Sequence, residues 1–119
     1  MTVQQLATEL QDYIKAGRIL EAMDRFYAPD VQMQENTRPP RVGLAANIES
    51  EKQFLAQVKQ WKGYTVKALA VDGDTAFVES VIEFVNTAGQ DVRLEQVSVT
   101  RWKGGQIVHE RFYYDSASK

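Results

Sequence analysis

The sequence predicts an α+β fold, in which three N-terminal helices close the concave face of a curved, mixed or antiparallel sheet over a conical space. Three observations carry this. Residues 75–115 divide into three extended runs, Thr75–Val85, Val92–Trp102 and Gln106–Asp115, joined by short turn-forming segments. The first sixty residues instead repeat their apolar side chains at helical spacing. Helices first and strands afterwards is the order of a fold whose helices are segregated onto one face of an antiparallel sheet. Strands of ten or more residues exceed the usual length of about five or six. Long antiparallel strands twist and coil, so their concave face leaves a space that is either filled or a pocket.

Val3, Leu6, Ala7, Leu10 and Ile14 recur at three and four residues and predict an amphipathic first helix. Gly17 stands where a left-handed helix stop belongs. Ile19, Ala22, Met23, Phe26 and Tyr27 form the stripe of a second helix, ended at Pro29-Asp30 because proline cannot donate to the helical ladder. Val31–Glu35 alternates as a short strand, and Arg38-Pro39-Pro40-Arg41 predicts an extended loop. The third helix is expected over Leu44–Lys59, with Leu44, Ile48, Leu55, Val58 and Trp61 inward, until Gly63 breaks it. Tyr64–Val71 then alternates as a strand, and Asp72-Gly73-Asp74 is a hairpin signal. Thr87-Ala88-Gly89 and Lys103-Gly104-Gly105 are the next turns. No repeat or linker interrupts the chain, so residues 1–119 read as one domain.

Composition removes several function classes. A net charge of −2 with scattered basic residues gives no track for nucleic acid and no attraction to an anionic membrane. No apolar run is long enough to cross a bilayer, and the first residues lack the basic start and apolar stretch of a signal peptide. The absence of cysteine removes disulfides and thiolate chemistry and fits a cytoplasmic protein. With one histidine, His109, a transition-metal site is not expected. No phosphate-binding loop or nucleophile elbow is present, so no cofactor is expected either.

Arg25-Phe26-Tyr27-Ala28-Pro29-Asp30-Val31 before the first strand and Trp102-Lys103-Gly104-Gly105-Gln106-Ile107-Val108 before the last carry a resemblance to the nuclear transport factor 2-like superfamily. Within it the chain most resembles the SnoaL-like branch, from about Leu6 to Asp115. The resemblance implies a conical pocket for a small hydrophobic ligand and a homodimer through the sheet. It does not name a reaction, since isomerases, polyketide cyclases and pure binders share the fold. Ketosteroid isomerase-like members carry their general base at the end of the first strand, where Glu35 stands here. Their first-helix tyrosine falls at about Leu10 and their oxyanion-hole aspartate at Ser98, so two of those three groups are missing. The histidine and aspartate of SnoaL-like cyclases fall at Glu110 and Phe112, so the acid of that mechanism is a ring here.

Glu35 and Glu110 are therefore the candidate catalytic residues. A carboxylate in an apolar cavity has a raised pKa and moves protons near neutrality; at the surface, Glu35 would instead cap the loop or pair with Arg38 or Arg41. Glu110, Phe112 and Tyr114 share one strand face by the period of two, and His109, Arg111 and Tyr113 the other. The family register turns the first set inward; the alternative pairs Glu110 with Arg93 or Arg101 across strands. Ser98 and Gln96 would hydrogen-bond a carbonyl or hydroxyl ligand, with Phe112, Tyr114 and Trp61 as walls. Glu79 and Glu83 against Arg93 and Arg101 suggest cross-strand ion pairs. The leading expectation is a cofactor-free enzyme moving protons on a hydrophobic carbonyl compound, with Glu35 as base, Glu110 or Tyr114 as acid and Ser98 orienting. The alternatives are a ligand-binding module without chemistry and a dimeric interaction module with a filled cavity.

Overall fold

A computed structural model of the chain describes residues 1–116. Helix α1, Val3–Lys15, starts on a capping box in which the Thr2 hydroxyl accepts from the Gln5 backbone and the Gln5 side chain from the Thr2 backbone. Helix α2, Ile19–Phe26, follows, and the chain passes directly into β1, Tyr27–Glu35. The strand thus begins four residues earlier than Val31. Pro29 is accommodated because β1 loses its pairing register between Tyr27 and Gln32, where no ladder donor is required. After the short β2, Arg41–Val42, come α3, Leu44–Leu55, and four strands: β3 Val58–Asp72, β4 Thr75–Asn86, β5 Asp91–Lys103 and β6 Gln106–Tyr114.

Helix α3 is shorter than Leu44–Lys59. The Ala56 backbone closes it on the carbonyls of Lys52 and Phe54, and from Val58 the chain pairs with the far end of β4. Val58 opposite Asn86 and Trp61 opposite Phe84 give this stretch an antiparallel partner, and that pairing outweighs helix propensity. The sheet has six strands in the order β2-β1-β6-β5-β4-β3. All neighbours are antiparallel except β1 and β6, which run parallel, so the sheet is mixed. The Gly104-Gly105 turn between β5 and β6 holds both residues at positive φ, 59° and 80°, a conformation that side chains beyond glycine resist.

The packed core occupies one end of the strands. Leu10, Phe26, Val31, Trp102 and Ile107 are buried together with Ala7, Ala22, Met23, Tyr27 and Ala76. Phe26 meets Trp102 edge to face at 6.1 Å and Tyr13 at 5.4 Å. Beyond this plug the helices and the sheet diverge. On the outer face Glu83 stands opposite Arg93, yet the ion pair of Arg93 is with Glu95 on its own strand, and Lys67 also reaches Glu95. The expected Glu79/Glu83-to-Arg93/Arg101 ladder is thus replaced by pairs that flexible side chains make more readily along the exposed surface.

Candidate functional site

A cavity of about 290 Å³ opens where α1, α2 and α3 lift away from β1, β3, β4, β5 and β6. The two-residue period of the strands determines which side chains enter it. On β6, Glu110, Phe112 and Tyr114 face inward; their cross-strand partners on β5 are Thr100, Ser98 and Gln96, of which Ser98 and Gln96 line the cavity. Glu35 lies beside Phe112 in the β1–β6 ladder and enters from the same face. Met33 stands opposite Glu110, so Glu35 and Glu110 are diagonal neighbours, with Cα atoms roughly 8 Å apart by strand spacing and rise.

The structure thus brings together Glu35, Gln96, Ser98, Glu110, Phe112 and Tyr114. Trp61 is the exception. It lies on β3 across from Phe84 and is not among the lining residues. The sequence places it inward at the end of a helix, but the strand starts before it, and pairing irregularities on both sides of it shift the alternation. The aromatic wall on that side is supplied by Tyr64 and Phe54 instead.

Glu35 and Glu110, the two cavity carboxyls on strands, are each held by a phenol. Tyr27 donates to Glu110 Oε1 at 2.5 Å in a buried pair, and Tyr114 donates to Glu35 Oε1 at 2.6 Å. Glu110 is only 4% exposed, and it bonds Tyr27 across the fold rather than Arg93 or Arg101. Burial pushes its carboxyl up to about 7, against the opposing effect of the Tyr27 hydrogen bond and with a further push from Glu51. Burial likewise raises the Tyr27 phenol well above its ordinary range, next to the Glu110 charge. Tyr64 donates to Gln11 Oε1 at 2.5 Å, and burial lifts its phenol to about 12.

Glu51 is a functional candidate absent from the sequence-based set. It projects from α3 into the cavity beside Ser50 and Phe54, and its carboxyl is raised to about 7, first by burial and then by Glu35. A signal for it nevertheless exists in the helical stripe: Leu44, Ile48, Glu51 and Leu55 are spaced four, three and four apart, so Glu51 occupies an inward position. Tyr27 is likewise absent from that set, because apolar spacing assigns it to a helix rather than to the start of β1. Arg41 is the cavity's cationic lining residue. Its backbone carbonyl, with that of Gly43, is fixed by the Asn47 side-chain amide. Asn36 turns the preceding loop with φ of 51° and accepts the Tyr114 backbone N–H through Oδ1. His109 lies on the opposite face of β6, where burial and then Arg101 and Arg111 lower its pKa. No group of three or more metal-ligating residues gathers among the described residues, and no helix is long and apolar enough to cross a membrane.

The sequence profile of the SnoaL-like domain matches residues 7–110. Among curated proteins, the chain is 25% identical over 91 residues to the capsule synthesis positive regulator AcpB of Bacillus anthracis. That match takes in 76% of this chain but 18% of AcpB, so the chain spans less than a fifth of that relative's length. Among solved structures, an NTF2-like protein of unknown function from Burkholderia pseudomallei superposes with a TM-score of 0.84 at 18% identity, covering 98% of this chain and 94% of its own. A protein from Mesorhizobium loti described as a candidate SnoaL-like polyketide cyclase gives 0.81 at 24% identity, covering 96% and 100%. These likenesses show the fold.

Proposed function

We propose that this chain, which belongs to the SnoaL-like domain family, uses its cavity for cofactor-free proton transfer on a compact, apolar carbonyl compound. The observation that carries the reading is Glu110, a cavity-lining carboxyl buried to 4% exposure, bonded to a buried phenol and held near a pKa of 7. A carboxyl in that state supplies or takes protons at neutral pH without a metal's help. Tyr27 occupies one oxygen, which leaves the other for the ligand's carbonyl. A second carboxylate then takes the carbon-bound proton, the role the sequence reading gives to Glu35. Ser98 and Gln96 orient the ligand's oxygen, and Leu10, Ile14, Met23, Ile82 and Phe112 surround its apolar body.

The test uses 2-tetralone in D2O. A base removes an α-hydrogen as a proton while an acid protonates the carbonyl oxygen; the resulting enol returns with deuterium at carbon. NMR is expected to show protein-dependent exchange that Glu110→Gln reduces by roughly 100-fold, the usual worth of a positioned acid or base. Exchange no faster than with an equal concentration of acetate would reject catalysis. Saturable binding of the ketone without exchange would favour a binding module, a second reading supported by Phe112, a ring at the position where SnoaL-like cyclases keep an acid.

The outer sheet face supports a homodimer as part of this proposal. Phe77, Val97 and Tyr113 are exposed there, with Val97 directly opposite Tyr113, and offer apolar area to a second copy. Sedimentation equilibrium is expected to give twice the chain mass for the wild type and the monomer mass for Val97→Glu; a monomeric wild type rejects the dimer.

A further inference from the structure

We propose that Glu51, and not Glu35, is the base of the cavity, removing the proton from the ligand on the helix side while Glu110 acts from the sheet. The inference rests on the proton-transfer reading above and assigns its second role.

Helix α3 would pack more stably with an apolar residue at position 51, because Leu44 and Ile48 of the same stripe pack against the core. A carboxyl there loses hydration, and lost hydration is normally offset by a hydrogen bond or a charge partner. No hydrogen bond or ion pair joins Glu51 to any described residue. Both strand carboxyls, by contrast, have one oxygen occupied by a phenol, Tyr27 on Glu110 and Tyr114 on Glu35. Glu51 therefore meets the cavity with both oxygens available to a ligand, and it does so from the wall facing the sheet. Glu35 lies on the same sheet as Glu110, two residues along the neighbouring strand, so both would approach a flat ligand from one side. An acid and a base that approach from different directions suit enolisation better than two on one sheet, because the α-hydrogen leaves perpendicular to the carbonyl plane while the oxygen is bonded near that plane.

The groups facing Glu51 make the assignment self-consistent. They are Glu35 and Tyr27 on β1, Arg41 on β2, Tyr64 on β3, and Glu110 and Tyr114 on β6. The only cation in this set is Arg41. Burial and the Glu35 charge both favour the protonated form of Glu51, and a carboxylate so destabilised is a strong proton acceptor near neutrality. In the proposed step the Glu51 carboxylate takes the α-hydrogen as a proton and its electron pair becomes the enol C=C bond. The carbonyl π pair takes the Glu110 proton, leaving Glu110 as the carboxylate.

The experiment compares 2-tetralone exchange in the wild type, Glu51→Gln, Glu51→Ala and Glu35→Gln, with ketone binding followed by chemical-shift titration. Glu51→Gln is expected to lose roughly 100-fold in exchange, as for loss of a general base, while its affinity for the ketone stays within threefold. Formate is expected to restore exchange to Glu51→Ala by placing a carboxylate in the vacated volume, which a purely structural role for Glu51 would not allow. Glu35→Gln is expected to lose less than tenfold, because it removes the charge that raises the Glu51 carboxyl but not the base itself. Exchange by Glu51→Gln within threefold of the wild type overturns the assignment, as does an equal loss in Glu35→Gln. Loss in Glu110→Gln alongside either result leaves the proton-transfer reading standing and rejects the role of Glu51 alone. Absence of exchange in the wild type rejects both.

Discussion

Glu110→Gln is expected to be more stable than the wild type at pH 8, by up to about 3 kcal/mol, and equal to it near pH 4.5. The ordinary pKa of 4.5 describes the carboxyl in the unfolded chain, and burial raises it to about 7 in the fold. Between those values the folded state holds the proton more often than the unfolded state. Stability then falls as pH rises, because the unfolded state has fewer protons to lose. The contribution of the protonated carboxyl is fully present below pH 4.5 and is lost as pH passes through 7. A tenfold change in proton affinity corresponds to about 1.4 kcal/mol, which gives the upper figure. The group is 4% exposed, so little solvent screening reduces it. Glutamine cannot ionise, keeps the shape, and still accepts from the Tyr27 phenol through its amide oxygen. Urea midpoints for both proteins at pH 4.5, 6 and 8 test this. Curves that stay parallel across the range would mean that Glu110 titrates at its ordinary pKa.

The same variant is expected to lose proton transfer. A residue that lowers folded stability at the pH where it does chemistry is the pattern of a functional site, where local consistency is given up for a poised group. A structural role for Glu110 predicts the opposite sign: replacing a well-paired carboxylate would lower stability at neutral pH.

The strand faces are legible in the sequence, and the helix–sheet contacts are hidden from it. That Glu110, Phe112 and Tyr114 share one face follows from alternation between glycine-marked turns, so an error in one strand end leaves it unchanged, whereas the choice of that face, with Gln96 and Ser98, as the inward one comes from the family resemblance. Glu35 is placed by its position at the end of β1. Trp61 is misplaced because apolar spacing continues past Leu55 without a strong stop, and only the distant partner Phe84 makes that stretch a strand. Tyr27 escapes assignment for a related reason. It follows Phe26 in the helical stripe, and its role depends on Glu110, 83 residues further on. The parallel pairing of β1 with β6 has no local signature at all, since both strands alternate in the same way whatever their direction. Glu51 differs from these. Its inward phase is readable from Leu44, Ile48 and Leu55, and a charged residue on an apolar stripe is itself the signal.

Phe26→Ala is expected to cost roughly 3–5 kcal/mol, the usual range for a large aromatic removed from a core. Phe26 is 1% exposed and is the largest of the fully buried side chains. It sits where α2 ends, between Tyr13 of α1 and Trp102 of β5, and both ring contacts are edge to face. Truncation removes the apolar burial and both aromatic contacts, and it leaves a void that its neighbours cannot fill. The indole of Trp102 is held by its N–H donating to the Thr100 hydroxyl at 2.9 Å, and Tyr13 is held by Arg25. Relaxation into the gap would break one of these. A domain of this size has a total stability of about 5–15 kcal/mol, so the variant is expected to be partly unfolded at 37 °C. Guanidinium unfolding should show a lower midpoint with an unchanged slope. The position also matters for the cavity, because Phe26 immediately precedes Tyr27, whose phenol holds Glu110. Phe26→Leu keeps most of the volume and is expected to recover at least half of the loss. If Phe26→Ala costs less than about 1.5 kcal/mol, the range of a tolerated swap, the packed plug between α2 and β5 is not what anchors the base of the cavity.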